Sequence, residues 1–218
     1  SIIIQKRIAK ILTDEYSVYF DIDHYSKRKD LQSASSQYYP DQDAYNITGI
    51  RVMNIQNDII KSWKFRQSYT SSSGNVTKEY RYKRLQLDEI LDNLNNRLYA
   101  FRYNDNVRLP DKDSKSVDHW GYFNNGYHTG GAWSVGTGGG KSNCGIPTLT
   151  CITSRETMKL EGSDKSPNGT VMSAGMLTAI VYPTGGETRF VYEPNVSDYG
   201  IGGGLRVSQI YDITDGVV

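Results

Sequence analysis

The chain has 218 residues, with 25 Lys and Arg against 24 Asp and Glu and a mean hydropathy of −0.57. That length supports one sizeable β domain or two small ones with a conventional core. The charge balance lacks the basic excess of a nucleic-acid-binding protein, and no apolar run is long enough for a membrane-spanning helix.

In chain order, residues 2–31 read as strand, turn and strand. Ile2 to Leu12 carries the apolar content, a turn falls at 13–17, and Val18, Phe20 and Ile22 alternate with Tyr19, Asp21 and Asp23. Residues 32–45 are polar, contain Pro40 and read as a loop. A second hairpin spans 47–70 and turns around Gln56-Asn57-Asp58, and the tip Ser71 to Asn75 follows it. Residues 76–104 hold a long strand and a third unit, and the third unit is ambiguous. Leu87, Leu91, Leu94 and Leu98 make a helical stripe, but Asn93, Asn95 and Asn96 are turn formers. The hairpin, turning at 92–97, is the preferred reading. Residues 105–174 form a Gly/Asn-rich insert, too long for a structureless loop in a compact domain. Strand character returns at 175, with a hairpin expected around 183–187, where Pro183-Thr184-Gly185-Gly186 supplies the turn.

One unit recurs along these segments: an apolar residue, two others and Ile, then a polar turn, then Phe. The copies are Ile8/Ile11/Phe20, Val52/Ile55/Phe65, Leu87/Ile90/Phe101 and Leu177/Ile180/Phe190; Val207/Ile210 begins a fifth. A repeat of strand pairs needs neighbours to bury each apolar face. The expected fold is therefore mainly β, with antiparallel hairpin repeats forming a sandwich or a stacked or coiled sheet. The organisation expected is N-terminal hairpins over 1–104, an irregular insert over 105–174 and C-terminal hairpins over 175–218, in one continuous fold cut from a longer chain. Phe20, Phe65, Phe101 and Phe190 are expected on one buried surface, and Gly202-Gly203-Gly204 is expected to be a flexible turn between units. The seventeen tyrosines suit half-exposed strand faces.

Little in the chain carries chemistry. Cys144 and Cys151 enclose six residues, a spacing compatible with a local disulfide or with two free thiols. Gly136 to Ser142 ends in Gly-Lys-Ser but has one residue too few for a phosphate-binding loop, and no strand precedes it. Asp111, Asp113 and Asp118 lack the Gly turn and bidentate Glu of a calcium loop. His24, His119 and His128 are scattered. No catalytic residue, metal or cofactor is expected. The most distinctive word is Asp118-His119-Trp120-Gly121-Tyr122. It reads as a structural clasp in which Asp118 or His119 bonds loop backbone, Gly121 permits a bend and Trp120 is mostly buried. The competing reading is a carbohydrate- or peptide-binding face made by Trp120, Tyr122 and Trp133.

Several words together resemble one family. Arg84-Leu85-x-Leu87-x-x-Ile90, Leu109-Pro110, Asp118 to Tyr122, Leu177-x-x-Ile180-x-Tyr182-Pro-Thr-Gly-Gly-x-Thr188-x-Phe190-x-Tyr192-Glu193 and Gly203-Gly-Leu-Arg-Val207-x-x-Ile210 occur in this order. Their order resembles large YD-repeat (Rhs-like) proteins of Bacteroides-type bacteria, from about residue 6 onward and least closely over 130–166. The resemblance implies a segment before or at the start of the repeat array of an exported protein, at the outer surface or secreted. Its partners would be other repeats of the same polypeptide, and a glycan or protein at the cell surface. It supplies no catalytic residues. The function expected is a non-catalytic structural module, with a carbohydrate- or peptide-binding module as the alternative.

Overall fold

The computed structural model describes residues 8–32, 44–71, 79–112, 114–125, 149–152, 157–160, 164–198 and 200–214. It contains β1 (Lys10–Leu12), β2 (Tyr16–Lys27), β3 (Tyr45–Asn54), β4 (Ile59–Ser71), a single helical turn α1 (Glu79–Tyr82), β5 (Lys83–Leu91), β6 (Arg97–Tyr103), β7 (Leu149–Ile152), β8 (Thr157–Leu160), β9 (Leu177–Val181), β10 (Glu187–Ser197) and β11 (Gly200–Ile213). Nine strands form one sheet in the order β1-β2-β3-β4-β5-β6-β9-β10-β11, while β7 and β8 pair separately. The protein is mainly β, and every sequence neighbour in the large sheet is also a spatial neighbour.

The hairpins close through one recurring turn. Asn54 to Asp58, Asp92 to Asn96 and Tyr182 to Gly186 each span five residues. In each, the first N–H donates to the fifth carbonyl and the fourth N–H donates to the first carbonyl, at 2.8–3.2 Å. The fourth residue is left-handed in all three: Asn57 and Asn95 at φ 66° and Gly185 at 90°. Asn and Gly tolerate this region where other residues clash with their own carbonyl. The geometry is a type I turn followed by a left-handed residue, which matches strand twist. Asn54 Oδ1 also accepts the N–H of Gln56 and Asp58, and Asp92 Oδ1 accepts those of Leu94 and Asn96. The first hairpin is tighter, with Thr13 and Tyr16 bonding through backbone and hydroxyl.

These turns settle the third unit as a hairpin. Leu91 is buried at the end of β5, but Leu94 stands at the turn tip, 73% exposed. The helical stripe is a coincidence of spacing. The turns also correct the repeat alignment. Ile90 and Ile180 lie two residues before their turns begin; in the second hairpin that place belongs to Val52, and Ile55 is inside the turn.

By contact, the chain divides into two units. The first comprises residues 1–102, 179–188 and 212–218, and the second 103–178 and 189–211. Within the first, Phe20 stands opposite Ile50, Ile50 opposite Trp63, Phe65 opposite Ile90, and Ile90 opposite Tyr99. Opposed residues share a face, as do residues two apart on one strand. Phe20, Phe65 and Phe101 therefore lie on one apolar face. The other face carries the ion pairs Asp21–Arg51 and Arg66–Glu89. The surface expected to be buried is covered only in part, since all three rings are half-buried. Phe190 does not follow the pattern. It lies eight residues after its turn begins and Phe101 nine, so relative to their hairpins the two rings have opposite parity.

The second unit contains the described part of the insert. Asn104 donates to Met176 O and accepts from Gly175 N–H, at 2.8 and 2.7 Å, and its amide donates to Ser173 Oγ. A run of turns over 168–176 then buries Val171, Met172 and Ala174. The insert thus folds on itself where it is described. Gly202-Gly203-Gly204 is not an inter-unit turn, since all three glycines lie inside β11.

Candidate functional site

The word Asp118-His119-Trp120-Gly121-Tyr122 adopts the hairpin turn described above. Asp118 N–H donates to Tyr122 O at 2.8 Å, Gly121 N–H donates to Asp118 O at 3.2 Å, and Gly121 takes the left-handed position at φ 92°. Asp118 Oδ1 accepts the N–H of Trp120 and of Tyr122, both at 2.9 Å, as Asn54 and Asp92 do in their own turns. A bridge between Val117 and Phe123 closes the loop. The sequence reading did not recognise this turn because its strands amount to a single bridge.

Side chains set this copy apart. Its third and fifth positions hold Trp120 and Tyr122, where the other turns hold Gln56 and Asp58, Leu94 and Asn96, or Thr184 and Gly186. The turn itself requires neither aromatic. Both rings lie against the glycines of β11: a Cβ on Gly203 would stand 2.4 Å from Trp120 Cγ, and one on Gly204 would stand 2.9 Å from the Tyr122 hydroxyl. Only bare backbone leaves room for the rings. Gly204 is also left-handed, at φ 86°.

Trp120 is 59% exposed and Tyr122 46%, so the expectation of a mostly buried Trp120 is overturned. The side chain meets β11 at Gly203 while most of the residue stays open to solvent. His119 meets Trp120 edge-on, with ring centres 6.2 Å apart. Trp133 and Cys144 lie outside the described residues, as does Asp113; Cys151 is on β7.

Beneath the turn is a polar framework that sequence reasoning missed. Asp118 and Asn124 are each 3% exposed and Lys165 is 7% exposed. Lys165 Nζ donates to Lys115 O and Val117 O at 3.0 and 2.8 Å, and Lys165 O accepts the N–H of His119 at 3.2 Å. The Asn124 amide donates to Asp164 O and Ser166 O, and the Asn168 amide donates to Asn124 O. These bonds join the turn to the segment 164–170 across a gap in sequence, which no local pattern announces. Asp118 Oδ2 is buried and finds no hydrogen-bond partner among the described residues. The same segment borders an open cleft of about 530 Å³, lined by Asn124, Asp164, Ser166, Asn168, Thr170, Pro194 and Ile201 among others.

Comparison with protein-family models, curated proteins and solved structures gives no match for this chain.

Chemically, the arrangement offers aromatic faces, amides and hydroxyls. Among the described residues no group of three His, Cys, Asp or Glu is placed to hold a metal ion, and no helix is long and apolar enough to cross a membrane. Asp118 directs one oxygen at two backbone donors, which makes it an anchor of the turn.

Proposed function

We propose that this chain is a non-catalytic β-scaffold segment of a large exported YD-repeat (Rhs-like) protein, placed at the outer surface or secreted. The observation that carries the reading is the recurrence of one five-residue turn. It appears at 54–58, 92–96, 118–122 and 182–186 with the same two backbone bonds and a left-handed fourth residue. The sheet order of the large sheet follows the sequence order of its hairpins. A chain built by adding hairpins side by side stabilises each one through its neighbours, the logic of a repeat scaffold. The word order given above supplies the family part of the reading. In this account the partners are other repeats of the same polypeptide, which pair with the strand edges.

The test is to recover the protein from its native cell with an antibody against residues 44–71, followed by fractionation and sizing. A longer polypeptide at the cell surface or in the medium is expected. A free-standing cytoplasmic protein of 24.6 kDa would overturn the reading.

A further inference from the structure

We propose that Trp120 and Tyr122 form a binding platform for a pyranose ring of a glycan, with the cleft along 164–170 taking hydroxyls of the adjoining sugars. This goes beyond the scaffold reading and does not depend on it.

Three observations converge. First, the aromatics are surplus to the turn that carries them, since Gln56, Leu94 and Thr184 serve in place of Trp120 and Asp58, Asn96 and Gly186 in place of Tyr122. Second, the rings are held in position before any ligand arrives. Asp118 Oδ1 fixes the N–H of both residues at 2.9 Å, and Gly203 and Gly204 support the rings from β11. A preorganised surface spares a ligand the entropy of ordering side chains. Yet 59% of Trp120 and 46% of Tyr122 stay open. Third, the segment that carries the rings is bonded to the segment that lines a polar cleft. Asn124 follows Tyr122 by two residues, Ile201 precedes Gly203 by two, and His119 N–H is bonded to Lys165 between the cleft residues Asp164 and Ser166.

The chemistry that fits is that of a sugar. A pyranose presents C–H groups on one face and hydroxyls round its rim, so it stacks on an indole or phenol ring and hydrogen-bonds to amides, hydroxyls and carboxylates beside it. An apolar peptide side chain needs an enclosing apolar pocket. The cleft lining, with Asn124, Asp164, Ser166, Asn168 and Thr170, does not supply one.

The test is titration of the whole 218-residue chain, 15N-labelled, with defined hexasaccharides: β-1,4-glucan, β-1,4-linked N-acetylglucosamine, β-1,4-xylan and α-1,6-mannan. At least one is expected to saturate, shifting the Trp120 indole N–H together with the Gly203 and Gly204 amides. Trp120→Ala should weaken that binding about tenfold, the value of one good stacking contact. Leu94→Ala, at the same position of the 92–96 turn, should leave it unchanged. The indole readout needs no mutant, so it stands even if Trp120→Ala fails to fold. No saturable binding by any of the four sugars would overturn the proposal. So would binding that leaves Trp120, Gly203 and Gly204 unshifted, or a proline-rich peptide that shifts them when no sugar does.

Discussion

Asp118 is the residue on which the distinctive turn depends. Removing its acceptor in Asp118→Ala leaves two backbone donors unmatched, and the expected loss is about 2–3 kcal/mol in denaturant-induced unfolding. Asp118→Asn keeps the acceptor, as Asn54 does in its own turn, and relieves the buried carboxylate whose Oδ2 is unpartnered. It should cost under about 1 kcal/mol, or stabilise. At Gly203 the constraint is space. Gly203→Ala places a methyl against Trp120 and should destabilise by about 1–3 kcal/mol, with a change in tryptophan emission. Asp92 adds a pH dependence. The Asn96 amide, with the backbone N–H of Asn96 and Leu94, holds its carboxyl below the usual value of 3.8. A lowered folded pKa means that the contribution is present above that value and fades as pH falls through the folded pKa. Acid unfolding followed by circular dichroism should therefore lose part of its low-pH limb in Asp92→Asn.

At the level of the element, the recurring turn makes its own demand on residue type. Asn95→Gly should be neutral within about 0.5 kcal/mol, whereas Asn95→Val places a β-branched residue at φ 66° and should cost about 1–2 kcal/mol. Thermal melts of the two variants decide it. Gly185→Val, at φ 90°, should lose at least as much. The hairpins were legible in the sequence because turn chemistry is local: Asn57, Asn95 and Gly185 announce left-handed positions, and alternation marks the strands between them. The slip at Ile55 shows the limit of that reading. An apolar residue at a turn tip looks like an apolar residue in a strand until the backbone bonds of Asn54 and Asp58 place it outside the ladder. The fourth such turn, at 118–122, escaped for the same reason, since a single bridge leaves almost no strand pattern to read.

For the molecule as a whole, the nine-strand order leaves β1 and β11 with one neighbour each among the described residues, while β3, β4 and β5 are flanked on both sides. Amide exchange should follow that order, slowest in β4 and its neighbours and fastest in β1. Protection in β1 equal to that in β4 would show that its outer edge is covered. The aromatic face running from Phe20 to Phe101 is a property of register: the repeat spacing put these three rings together, but it also put Phe190 with them, whose parity relative to its hairpin differs. How deeply the face is buried depends on whether another layer covers it, which strand patterning cannot report. The same division explains the site. Composition and turn residues determined by themselves that the chain is a run of antiparallel hairpins, because those signals act over a few neighbouring residues. Only the tertiary structure decided that Trp120 and Tyr122 pack against Gly203 and Gly204, and that Lys165 and Asn124 tie the turn to residues 48 and 40 positions away. Those contacts join segments distant along the chain, and their cost in loop closure is set by the fold rather than by any local pattern.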